Sequence, residues 1–307
     1  MTTIEFTNPI FSDETKARAY LEAQRWPDGA VCPFCDSKEA VTDLNSKAHG
    51  AGWYHCNLCR KAFTVRVGSV MERSHIPLTK WALVFHLMAA SKKGVSAKQV
   101  QRMLGFASYK SAWFMCHRVR EAMKPSDDTG SAPIGGKGKV VESDETFIGG
   151  KKKNVHRGKP EPKKHAVHAL VERGGEVRAQ HVPNVTAKTL RETIKKHVAK
   201  GTTMNTDDAL QYYHMSKEFA AHRAVNHSAG EYVSKDGKAH IQSAESFFAI
   251  MKRGVMGSFH CISEQHLQRY VDEFAFRWNT RSALGVEDTE RASRAIKGAE
   301  GKRLTYR

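Results

Sequence analysis

Two cysteine pairs, Cys32-x2-Cys35 and Cys56-x2-Cys59, stand 20 residues apart near the start of this chain. Two such turns at this separation bring four thiolates to the corners of a tetrahedron around Zn²⁺, which imposes a small ribbon of short strands. Rubredoxin-like iron is the competing ion. Four thiolates close the coordination shell and leave no position for a substrate, so the metal is structural. Disulfides would require an oxidising compartment. Met1 to Asn8 has neither the basic start nor the apolar stretch of a secretory leader, and a cytoplasmic location is the expectation. Cys116 and Cys261 stand alone within apolar helical patterns.

Charge narrows the partner. Lys and Arg total 49 against 32 Asp and Glu, a net charge of +17, which favours a polyanion. The longest apolar candidate, Trp81 to Ala90, is interrupted by His86 and falls short of the roughly 18 residues of a membrane span. Nucleic acid is therefore the expected partner, and no membrane is expected. Around the cysteines, Arg60, Lys61 and Arg66 lie among Trp53, Tyr54 and Phe63. These suit either a DNA-contacting face or the ribbon's own small core.

The periodicity divides the chain into an N-terminal helical segment (1–30), the ribbon (31–67), a helical region (68–124), a linker (125–138), an α/β domain (139–281) and a polar tail (282–307). In the helical region, Leu78 to Ala90 is one helix, Ser96 caps a second that ends at Met103, and Tyr109 to Met123 is a third. The last two are helix-turn-helix-like, with Lys110, His117, Arg118 and Arg120 on the second helix placed for phosphates or base edges and Trp113, Phe114 and Val119 for the core. The linker, PSDDTGSAPIGGKG, is rich in turn formers. Three strands follow (139–148, 165–172 and 176–182), the last two joined at Arg173-Gly174-Gly175. A helix (186–199), a strand (202–206), a helix (209–219), a strand (223–226) and two final helices (240–260 and 263–278) complete a mixed α/β pattern.

Three carboxylates in that domain carry the chemistry. Asp144 sits in the strand VVESDETFIGG, Asp207 ends the strand TTMNT, and Glu245 lies on the helix after the polar loop. Hard oxygen ligands on adjacent elements are what two Mg²⁺ ions (or Mn²⁺) require for phosphoryl chemistry. Seven residues at 100° each return to within about 20° of the starting direction, so Lys252 shares a face with Glu245 and can meet a phosphate. Arg253 follows it. The basic run of Lys151, Lys152, Lys153, Arg157, Lys159, Lys163 and Lys164 suits a DNA backbone or a solvated hairpin tip. His214, His222, His227 and His240 lack ligand spacing on a shared element and are read as supporting or phosphate contacts.

The blocks VVESDETFIGGK, NTDDALQYY, VNHSAGEYV and ESFFAIMKRGVMGSFHCISEQHLQRYVDEFAFRWNTR, with the cysteine ribbon ahead of them, resemble bacterial insertion-sequence transposases of the ISXO-like group over residues 15 to 285. The resemblance implies a ribonuclease-H-like, retroviral-integrase-like catalytic core behind a zinc ribbon. It also implies DDE-type, Mg²⁺-dependent DNA cleavage and strand transfer, and recognition of terminal inverted repeats and target DNA. By position, Asp144 and Asp207 match the two catalytic Asp residues, Asp207 rather than Asp208 because the family's Asp stands five residues before a Tyr, here Tyr212. Glu245 and Lys252 match the Glu and Lys of the last block. Many members carry Asn one turn before that Glu; here it is Gln242, which leaves Gln242 or Glu245 as the third metal-proximal group. Joining two DNA ends implies at least a dimer. A non-catalytic zinc-ribbon and helix-turn-helix regulator is the competing reading, and a Mg²⁺ nuclease without strand transfer a third.

Overall fold

In the computed structural model, which describes residues 5–44, 49–125, 132–150, 163–226 and 229–305, Asp13 accepts the amides of Thr15 and Lys16 and so starts helix α1 (Glu14–Arg25). The chain folds as two units, Met1–Ser126 with Gly285–Arg307, and Asp127–Leu284. In the first unit, α1 precedes an antiparallel ribbon of β1 (Val41–Asp43), β2 (Tyr54–Cys56) and β3 (Lys61–Phe63). Three helices follow at the predicted bounds: α2 (Leu78–Ala90), α3 (Ala97–Met103) and α4 (Tyr109–Met123). The Ser96 hydroxyl caps α3 by accepting from the Gln99 amide.

The ribbon's core is a ring cluster. Tyr54 and Phe63 stack at 5.5 Å between centroids, and Trp26 meets both edge-on. Two of the three ribbon aromatics therefore belong to its own core, and Trp53 remains partly exposed. Arg66 is spent internally, donating to the Ser74 and Ile76 carbonyls.

The second unit is built on a five-stranded sheet. It comprises β4 (Val140–Gly149), β5 (Lys164–Glu172), β6 (Val177–Val182), β7 (Thr203–Asp207) and β8 (Ala221–Val225), in the order β6-β5-β4-β7-β8. The hairpins β4–β5 and β5–β6 are antiparallel, whereas β4–β7 and β7–β8 are parallel. Alternation along the strands builds a core on each face. Leu170 and Val141 join Leu190 and Ile194 of α5 (Ala187–His197) on one side. Val167, Ala169 and Val171 join Phe247 and Met251 of α6 (Gln242–Gly254) and Val271 and Phe274 of α7 (Glu264–Asn279) on the other. A π-helical turn, Val255–Phe259, follows α6 and ends at His260 with φ 60°. Gly149 closes β4 where a Cβ would lie 2.5 Å from the Lys163 carbonyl, so no larger residue fits there.

Three expectations are corrected. Residues 209–219 form two short 3₁₀ turns, Leu210–Tyr212 and Met215–Lys217, instead of a helix. Tyr212, Met215 and Phe219 reach the core while Leu210 and Tyr213 are exposed, and Tyr212 is fixed in place by its hydrogen bonds with Ser143 and Glu145. The linker does not extend to residue 138: Ile134 is buried beside Val198 and pairs with it, and the Gly135 amide donates to Glu172. Nor is 282–307 a loose tail. Residues Asp288–Lys297 form α8, which packs against α2 in the first unit and buries Arg291, Ala292, Ala295 and Ile296. Its buried face holds two alanines and an arginine beside a single large apolar residue, Ile296, and so carries little hydrophobic signal. Among the described residues no helix is long and apolar enough to cross a membrane.

Candidate functional site

The ribbon gathers its four thiols as the spacing predicts. Cys32 Sγ lies 3.5 Å from Cys59 Sγ and Cys35 Sγ 3.6 Å from Cys56 Sγ, and all four sulfurs fall within 4.8 Å of one another. Zn–S bonds near 2.3 Å place tetrahedral sulfurs about 3.8 Å apart, so the cluster fits Zn²⁺. Both knuckles end the same way. The amide following each pair turns back to the first cysteine's carbonyl (Asp36 to Cys32, Arg60 to Cys56), and Asp36 and Arg60 both adopt left-handed backbone, φ 56° and 57°.

In the second unit β4 sorts its polar residues by face. Glu142 and Asp144 alternate with Ser143 and Glu145. The parallel register of β4 and β7 pairs Glu142 with Asn205, and two residues further on the same register sets Asp144 alongside Asp207. Asp207 is half-buried and accepts the Ala209 amide; Asp208, just beyond the strand, is exposed.

Beneath the two aspartates lies a clamp. Glu142 is fully buried and accepts from the Ser243 amide at 2.7 Å, the Ala244 amide at 3.1 Å and the Ser243 hydroxyl. It thus caps α6, whose own N-cap Ile241 offers no side-chain acceptor. Arg173 Nε pairs with the same carboxylate at 3.1 Å, and His240 Nδ1 lies 3.3 Å from it. Asn205 donates to the carbonyls of Lys238 and His240, as Arg173 does. Glu142, Arg173 and Asn205 thereby fix the first turn of α6 beside β4 and β7. Gln242 and Glu245 both lie exposed on that turn. Lys252 is also exposed, two turns or about 10.5 Å further along, too far to form an ion pair with Glu245.

On the opposite face a buried chain of polar groups backs the strand. Tyr212 donates to Glu145, Ser143 donates to Tyr212 at 3.2 Å, and His168 Nε2 lies 2.9 Å from Ser143. Burial pushes His168 down to about 3, so it is neutral. Burial first, then the charges of Asp144 and Asp207, raise Glu145 to about 7 against the opposing Tyr212 hydrogen bond. Tyr212 is held well above its ordinary value by burial and by Glu145, and stays a donor. The aspartates thus act electrostatically on a common point, and the local surplus of negative charge fits divalent cations.

The proposed DNA-contacting side chains fare unevenly. Lys110 is exposed. Arg118 is half-buried over the Phe114 ring and donates to the Glu72 carbonyl. Arg120 is 1% exposed and belongs to the interior of the first unit, as does His117, which corrects the expectation that both reach DNA. Eight of the fifteen residues of α4 are buried, and that wide buried arc takes in His117 and Arg120. Trp113 and Phe114 are only half-buried, and Val119 is in the core. Arg253 is exposed and donates to the Ala249 carbonyl. Lys151, Lys152, Lys153, Arg157 and Lys159 lie outside the described residues, as does His227. His222 meets Thr206 at 2.9 Å, and His240 serves the clamp.

Sequence reasoning missed Glu142, Asn205 and Arg173. Nothing local marked them, because Glu142 is one of five consecutive polar residues in β4, Glu142 to Thr146.

Comparison with known proteins agrees with this geometry. Residues 135–279 match the ISXO2-like transposase domain and residues 12–62 the transposase zinc-ribbon domain. An uncharacterized protein in transposable element ISH50 of Halobacterium salinarum is 25% identical over 283 residues, covering 87% of this chain and 91% of the relative. The transposase-domain model falls on the carboxylate unit and the ribbon model on the cysteine cluster, so the chain carries an ISXO2-like transposase domain behind a transposase zinc ribbon.

Proposed function

We propose that this protein is a DDE-type DNA transposase that cleaves and joins DNA at the terminal inverted repeats of an insertion sequence. The observation that carries the reading is the parallel register that pairs Glu142 with Asn205 and so brings Asp144, midway along β4, beside Asp207 at the end of β7, next to a helix start pinned by Glu142. The ribonuclease-H-like reading of the core is supported by the mixed sheet order β6-β5-β4-β7-β8, three antiparallel strands followed by two parallel ones, with helices on both faces.

Asp144 and Asp207 would hold two Mg²⁺ ions, with Glu245 completing a shell and Gln242 one turn away as the alternative. Bound there, the ions supply Lewis acidity for attack on a phosphodiester and for the departing oxygen. Glu145 is kept off the metal face by Tyr212, which accounts for a third carboxylate so close to two ligands. Lys252 and Arg253 lie exposed at the far end of α6 for phosphates, and Lys110 extends the basic surface of the first unit. Cys32, Cys35, Cys56 and Cys59 would hold a structural Zn²⁺. Two ends must be handled together, so the active form is at least a dimer on DNA.

A strand-transfer assay with 3′-OH-ended donor DNA and Mg²⁺ tests the reading. Asp144→Asn and Glu245→Gln should each lose about three orders of magnitude, equivalent to about 4 kcal/mol of barrier. Undiminished product from both variants sinks the assignment. Specific end binding without product from the wild type makes the chain a regulator instead.

A further inference from the structure

A second group of metal-ligating side chains lies elsewhere in the same unit. His165 on β5, His181 on β6 and Glu264 in the first turn of α7 place one ligand atom each within 4.8 Å of one another. The register explains the convergence: Val167 pairs with His181, so His165, two residues along, projects from the same face as a diagonal neighbour. Helix α7 is held over that face by Gln268, which accepts the His181 amide at 2.7 Å and donates to the Ala179 carbonyl. His165 Nδ1 stands 3.5 Å from Glu264 Oε1, while Lys163 occupies the other carboxylate oxygen at 2.8 Å. The two imidazole rings meet edge-on, 5.8 Å apart.

We infer that His165, His181 and Glu264 form a binding site for a divalent transition-metal ion of the zinc class, joining the β5–β6 edge of the sheet to the start of α7. Two imidazoles and a carboxylate on three elements suit Zn²⁺ or Co²⁺ far better than Mg²⁺, which prefers oxygen throughout. Ligands bound at about 2.0–2.2 Å stand about 3–4 Å apart, so the observed spread closes with about an ångström of side-chain adjustment. An ion pair with Glu264 employs only one imidazole; a metal employs both. Partial burial, then the facing His165, hold His181 below its ordinary value, which keeps it in the neutral form that binds metal. The site is separate from the aspartates. Asp144 pairs with Ala169, four residues from His165 along β5, or about 13 Å of strand.

Titration of the full chain, with zinc in its ribbon, by Co²⁺ tests the site. One equivalent should bind and give d–d absorption without the thiolate charge-transfer bands of a cysteine site. It should persist in Asp144→Asn, which separates it from the aspartate pair. His181→Ala and the exposed Glu264→Gln should each weaken it at least about 100-fold; Glu264→Gln guards against loss through misfolding. The inference is overturned if no equivalent binds, if thiolate bands accompany it, if Asp144→Asn abolishes it, or if Glu264→Gln leaves it unchanged.

Discussion

In the ribbon four sulfurs converge above three aromatic rings; in the second unit two aspartates converge above a buried ion pair and a capped helix. Each region crowds groups that repel one another when ionised, but the support differs. The ribbon's strands are three residues each and bury little, so the ion that neutralises the thiolates must also supply most of the folding free energy. The sheet has two hydrophobic faces and tolerates its like charges without help, at the cost visible in Glu145. A cation is thus a structural requirement of the ribbon, whereas the sheet is a finished fold without one.

The largest effect should follow zinc removal, since structural sites of this type contribute about 10 kcal/mol or more. Chelation of the full chain should abolish hydrogen-exchange protection across β1–β3 and leave β4–β8 protected. Loss of protection in both regions would show that they fold as one.

Next comes the clamp. Glu142→Ala leaves Arg173 and two α6 amides without their acceptor and should cost about 3 kcal/mol in urea unfolding of the second unit. The loss should centre on α6, and Glu142→Gln should recover part of it. An unaltered midpoint would mean that α6 is held by its apolar face alone.

A pH effect follows from Glu145. Its folded value of about 7 exceeds its ordinary 4.5, so the folded state retains a proton that the unfolded chain releases. The associated stability is complete below pH 4.5 and is lost as pH rises through 7. The 2.5-unit difference amounts to about 3 kcal/mol at most. Neutral His168, held down at about 3 from its ordinary 6.5, contributes the opposite trend between those values, so the test is a difference: over pH 4.5 to 7 the denaturation midpoint of the wild type should fall relative to that of Glu145→Gln. Parallel profiles for the two would remove the electrostatic account of the site.

The smallest effect separates surface from interior in α4. Lys110→Ala should lower the salt dependence of DNA binding by about 0.9 in log–log slope without changing stability. Arg120→Ala should instead lower the melting temperature. The reverse pattern would place Arg120 at the DNA.

Legibility in the sequence followed how local each cause was. Helices α2, α3 and α4 were readable to the residue because Pro77, Ser96 and the apolar runs mark their ends. The cysteine cluster was readable because its spacing is the geometry. Asp144 and Asp207 could be picked out as strand-end acids, but their common face depends on a parallel pairing formed across more than 60 residues. Glu142 had no local mark at all: its partners come from β5's end and from α6, about 30 and 100 residues away. The 3₁₀ turns after Asp207 were misread because Tyr212 is held by tertiary hydrogen bonds instead of a helical stripe. Helix α8 was missed because two alanines and an arginine leave Ile296 as the only large apolar residue of its buried face.

The cap on α6 has one more consequence, for fidelity of assembly. A strand that slips by one residue turns every side chain to the opposite face. Were β4 to slip, Asp144 would leave its place, and Glu142 would swing away from the Ser243 and Ala244 amides in the same movement. A molecule with misplaced aspartates is therefore also one with an uncapped helix and an arginine that has lost its carboxylate. Glu142 acts as a proofreader for the strand, making the functional alignment the one that the folding energy selects.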